Sequence, residues 1–105
     1  MTNALVEKIK RLEEGDEVTV GFRDVELPVT VEDSMHDDDL GPWDDGMDLW
    51  KAQTRPSEPF EYSGNSVDLV ELRTNGEYPL LTLYYYDKET LDYRQFRPKL
   101  QGIET

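Results

Sequence analysis

The only histidine of the chain, His36, stands directly before Asp37, Asp38 and Asp39, so the residues best suited to acid–base chemistry are contiguous. An imidazole beside carboxylates can serve as a general base near neutral pH. A base needs a nucleophile or a bound group to act on. No Gly-rich phosphate loop, dinucleotide fingerprint or serine elbow accompanies this one. Ser34 and Ser63 are present without such surroundings. A small hydrolase using His36 is therefore the last of three functional readings, and the expectation is a solvated histidine in a protein that is not an enzyme.

The same stretch offers hard oxygen ligands for Ca²⁺ or Mg²⁺ in Asp37, Asp39, Asp44 and Asp45, with Asp48 nearby. Counted from Asp37, however, Gly41 and Pro42 replace the fifth ligand and the turn glycine of an EF-hand. One histidine cannot build a zinc set, and with no cysteine there is no thiolate site, disulfide or Cys nucleophile. The chain is expected to use no cofactor and no dedicated metal, and to exchange its counterions with bulk salt cations.

Two aromatic groups point to binding instead. Trp43, Met47, Leu49 and Trp50 sit among the acids, and with Leu40 they suggest a short helix starting at Pro42 with its apolar face turned to a partner or to the core. Trp and Met are enriched in interface cores. One of the two tryptophans is expected to be largely buried, with the neighbouring aspartates wet. The second group is basic: Tyr84, Tyr86, Tyr93, Arg94, Arg97 and Lys99 interleave aromatics with cations, the pattern of a single-stranded nucleic-acid face. The chain's charge opposes that reading, because phosphate contacts supply most non-specific affinity.

That charge is −13 over 105 residues, from 24 acids and 11 bases. Residues 31–50 carry eight of the acids and no Lys or Arg. Such self-repulsion works against compaction unless salt screens it. With Asp and Glu equally common, few Lys and no Cys, the composition resembles that of proteins from salt-in halophiles.

The elements that must position these residues follow from periodicity. Leu5, Val6, Ile9 and Leu12 form one apolar stripe, predicting a helix over about 3–14 with Gly15 behind it. Alternation predicts strands over about 17–22, 27–32, 67–73, 78–86 and 92–97. Pro28 favours an edge position, Asn75-Gly76 a hairpin, and the run from Tyr78 to Tyr86 a central strand covered on both faces. Residues 33–66 show no sustained period and read as one long acidic loop.

A helix followed by five short strands resembles the small SH3-like barrels, Sm-like proteins included. The local match is the passage from Leu12 to Val20, where a helix runs through Gly15-Asp16 into the first strand. The chain lacks the paired RNA-binding signatures of a true Sm protein, so RNA binding does not follow from the resemblance. The expected architecture is one mainly β (α+β) domain over 1–105: a five-stranded SH3-like barrel or curled antiparallel sheet, with an N-terminal helix. No run is long and apolar enough to span a membrane, the N-terminus does not read as a signal peptide, and a cytoplasmic location is expected. The leading functional reading is a non-enzymatic interaction module whose protein partner, or second copy, engages residues 33–60. Nucleic-acid binding on the Tyr and Arg face is the alternative.

Overall fold

The computed structural model describes residues 4–37, 49–62 and 64–104, with Asp37 described by its backbone alone. Helix α1 (Ala4–Lys10) is shorter than its apolar stripe. The Asp16 carboxylate accepts the Glu13 backbone N–H at 2.9 Å, drawing the chain out of the helix before residue 14. Leu12 nevertheless stays buried with Val6 and Ile9. Gly15 takes a left-handed φ of 94°, and its N–H donates to the Val31 carbonyl at 2.8 Å. The predicted Gly15 stop is thus also a brace onto the sheet.

Eight strands follow among the described residues: β1 (Glu17–Phe22), β2 (Val25–Asp37), β3 (Leu49–Pro56), β4 (Glu61–Tyr62), β5 (Asn65–Thr74), β6 (Pro79–Asp87), β7 (Asp92–Phe96) and β8 (Leu100–Glu104). They pair antiparallel in the order β7-β6-β5-β3-β2-β1-β8, with β4 on β5. The five expected strands are present as β1, β2, β5, β6 and β7. The expected loop over 33–66 is not: β2 runs on through Asp37, and β3 and β4 occupy 49–56 and 61–62. Leu49 and Trp50 accordingly lie on a strand rather than on a helix from Pro42.

This sheet cannot be flat. Seven strands at about 4.8 Å spacing would put β7 and β8 roughly 29 Å apart. Yet Phe96 and Leu100 are four Cα steps apart along the chain, a reach of about 14 Å. The sheet therefore curls until its two edges face each other across an open seam, where β8 reaches β6. Register shifts at Gly21/Phe22, Val31/Asp33 and Val67/Leu69 supply local bending. The result is an antiparallel half-barrel with α1 lying across β3, β5, β6 and β8.

Alternation fills the concave side. Val18, Val20, Val29, Val31, Val70, Leu72, Leu81 and Leu83, the core expected from the sequence, are all buried, joined by Phe22, Leu27, Ala52, Leu100 and Ile103. Each such Val or Leu contributes roughly 1.5–3 kcal/mol. Pro28 lies inside the sheet, not at its edge. Its carbonyl accepts from Ser57 N–H at 2.9 Å, so its missing donor faces the side where β3 has just ended at Pro56. The Asn75-Gly76 signal becomes a four-residue turn between Thr74 and Pro79, in which Asn75 Oδ1 accepts from the N–H groups of Glu77 and Tyr78.

Candidate functional site

The β2–β3 register sets His36 directly opposite Trp50, and their rings stack with centroids 4.3 Å apart and planes within 4°. Lys10, at the end of α1, places its ammonium 4.4 Å from the Trp50 ring centre while pairing with Glu7 at 3.6 Å. On the next strand Trp50 faces Thr74, and a Cβ added at Gly76 would stand 3.6 Å from its Cζ3. Trp50 is half-buried against the core, so it clasps helix, hairpin stem and turn together. A cleft of about 230 Å³ remains beside it. His36 belongs to this clasp. Trp43, Met47, the Asp37 side chain, Asp39, Asp44 and Asp45 lie outside the described residues. Among the described residues no group of three or more His, Asp or Glu is placed to hold a metal ion.

A second aromatic cluster holds the other end of β5. Phe22 meets Phe60 and Tyr62 edge-on at 6.4 and 5.6 Å, Tyr62 meets Phe96 at 5.3 Å, and Phe96 stacks on Tyr85 at 4.6 Å. Phe60 is tied to β5 by its carbonyl, which accepts from Val67 N–H. These rings are structural, and Arg23 lies over the face of Tyr62 at 5.9 Å.

The convex face is covered at its middle, where Thr82 and Glu71 are buried, and open along the two ends of β6. Leu80, Tyr84 and Tyr86 alternate outward along β6, and Tyr86 pairs edge-on with Tyr93 of β7 at 5.3 Å. Tyr78, Leu80, Tyr86, Leu91 and Tyr93 are exposed, leaving Met35 as the sixth exposed large apolar residue among those described. The expectation of a central strand covered on both faces holds at Thr82, which faces outward and is buried, and is corrected at Leu80 and Tyr86, which are exposed. β6 is one strand in from the edge, and its outer face is buried at Thr82, opposite Glu71, and open at Leu80 and Tyr86. Tyr86 also borders a cleft of about 450 Å³ with Glu61, Asp87, Lys88 and Glu89.

Of the basic residues, Arg94 does not join the Tyr86–Tyr93 pair. Arg94 is paired with Tyr85, whose side chain is buried, and so belongs to the opposite side of the sheet; its Nε reaches Asp87 at 3.2 Å. Arg97 and Lys99 lie in the link between β7 and β8. There they border a cleft of about 440 Å³ at the seam, walled by Leu5 from α1, Tyr78 and Leu80 at the start of β6, and Leu100 of β8. No sequence signal marks this cleft, since its residues come from three distant parts of the chain.

Charges elsewhere are used within the sheet. Glu71, an outward-facing residue only 4% exposed, is held between Arg73 at 2.9 Å and Lys51 at 3.5 Å. Arg55 Nε donates to Glu32 at 2.8 Å across the β2–β3 pair, and that bond with its Coulomb attraction raises the guanidinium above its ordinary value.

Fold and surface together define a curled antiparallel half-barrel, capped by a short helix, with exposed apolar side chains around its β6–β7 hairpin. Comparison of the chain with protein-family models, with curated proteins and with solved structures found no match. No helix among the described residues is long and apolar enough to cross a membrane.

Proposed function

We propose that the protein is a non-enzymatic interaction module, working in a salt-rich cytoplasm, whose protein partner lies along the β6–β7 edge hairpin. The observation that carries this reading is the placement of exposed apolar side chains. Among the described residues, five of the six large ones fall between Tyr78 and Tyr93, around the β6 strand and its hairpin with β7, Met35 being the sixth. Aromatic residues concentrated on one exposed face mark interaction surfaces. Of the partner-binding set expected from the sequence, Leu49 and Trp50 are half-buried, with Trp50 packed against the helix, and Trp43 and Met47 lie outside the described residues, so the hairpin supports the reading best among the described residues. Nucleic-acid binding is not favoured: Arg94 and the exposed tyrosines occupy opposite faces, and the −13 charge repels phosphate.

Site-specific photocrosslinking tests the reading. With p-benzoylphenylalanine at position 93, source-cell lysate in molar KCl should yield a discrete protein adduct. The same probe at position 26, exposed on β2, should yield none. Equal labelling from both positions, or none from position 93, refutes the hairpin as the binding surface.

A further inference from the structure

The seam cleft combines apolar walls with two cations that make no ion pair among the described residues. Curling brings Leu5, Tyr78, Leu80 and Leu100 around a space of about 440 Å³. Its border carries Arg97 and Lys99 and no acid. In a chain with 24 acids and 11 bases, cations are scarce, and Lys10, Lys51, Arg55, Arg73 and Arg94 are held in ion pairs. At the Trp50 cleft, Lys10 and Lys51 are paired with Glu7 and Glu71. Arg97 and Lys99 make no ion pair among the described residues. Pro98 between them is buried, with its φ held by the ring, so it pins the link while both charged neighbours stay exposed.

We infer that the seam cleft docks an acidic amphipathic segment of the partner protein, seating a Leu- or Phe-sized side chain between Tyr78, Leu80 and Leu100 while its carboxylates meet Arg97 and Lys99. The inference rests on the interaction-module reading and names the partner's chemistry. Charge complementarity selects the occupant, since two uncompensated cations beside an apolar hollow match carboxylates flanking an apolar residue. A protein segment fits better than a lipid surface. An anionic bilayer would have to approach the whole of a −13 molecule, whereas a peptide brings its charge only to the cleft. The site also adjoins β8, an edge strand, and the 97–99 link, which belongs to no strand, so backbone polar groups lie within reach of an extended peptide.

The test is fluorescence anisotropy with a labelled octapeptide, Gly-Glu-Glu-Leu-Phe-Glu-Glu-Gly, in the lowest KCl at which the protein is fully folded. Wild type should bind it and reject the version with Ser in place of Leu and Phe. Arg97→Glu/Lys99→Glu should weaken binding about tenfold or more, and Tyr78→Ser should weaken it with both cations intact. Both cations and Tyr78 are exposed, so circular dichroism should show unchanged folding in each variant. Equal affinity in wild type and the charge-reversed variant overturns the inference, as does no binding up to millimolar peptide. Binding of phosphatidylglycerol vesicles in place of the peptide also overturns it. Failure here with the position-93 adduct intact rejects the acidic-partner chemistry alone, whereas loss of the adduct rejects the module reading itself.

Discussion

Replacing Trp50 by alanine should destabilise the protein by about 2–4 kcal/mol. A fully buried Trp truncated to Ala costs roughly 3–5 kcal/mol. Trp50 is half-buried, which lowers the transfer part of that figure. What remains includes two specific contacts: the parallel stack on His36 at 4.3 Å, of the kind worth about 0.5–1.5 kcal/mol, and the Lys10 ammonium 4.4 Å above the ring, worth about 0.5–1 kcal/mol where the cation is partly wet. At roughly 4–8 °C per kcal/mol for a domain near this size, the melting temperature should fall by about 8–30 °C. Urea unfolding followed by far-UV circular dichroism measures the loss without relying on tryptophan fluorescence. Lys10→Met and the double variant complete a cycle, and the coupling should come out near 0.5–1 kcal/mol in favour of the pair. A loss below about 1 kcal/mol for Trp50→Ala, or zero coupling, would mean that α1 is not anchored through this ring. Trp50 would then return to the candidate binding residues.

Phe22→Ala should cost about 3–5 kcal/mol in the same assay, because it empties the hub that Phe60 and Tyr62 pack against at one end of β5; a loss under 1 kcal/mol would show that the aromatic cluster can close without it. The melting temperature should climb steeply from 0.1 to 2 M KCl, as the Debye length falls from about 10 Å to a few Å around a chain carrying −13. A flat profile would retire the salt-adapted reading of the composition.

Period-two alternation made β1, β5 and β6 legible, because Val18/Val20/Phe22, Val70/Leu72 and Leu81/Leu83 are large apolar residues on one face of each strand. The same logic failed on β3. Its inward residues after Trp50 are Ala52 and Thr54, too small or too polar to register as a core face. Thr54 is fully buried all the same, since its hydroxyl donates to the carbonyl of Val70, 16 residues further along the chain, at 2.9 Å. β8 was hidden for a related reason: Leu100 and Ile103 are three positions apart, and the register shift between Gly21 and Phe22 reconciles that spacing with burial of both.

Taken alone, the chain's residues determined a mainly β domain with an N-terminal helix, its principal core residues and its acidity, since each depends on local pattern or on counting. The sites were decided by tertiary structure. His36 becomes a stacking partner because β2 and β3 pair in a register that sets it against Trp50. The interleaved Tyr and Arg residues separate because neighbours on a strand point to opposite faces. The seam cleft exists because a short link joins the two edges of the sheet, forcing a curl that gathers Leu5, Tyr78 and Lys99 into one place. No local sequence pattern encodes that closure, because it arises from strand order and chain reach together.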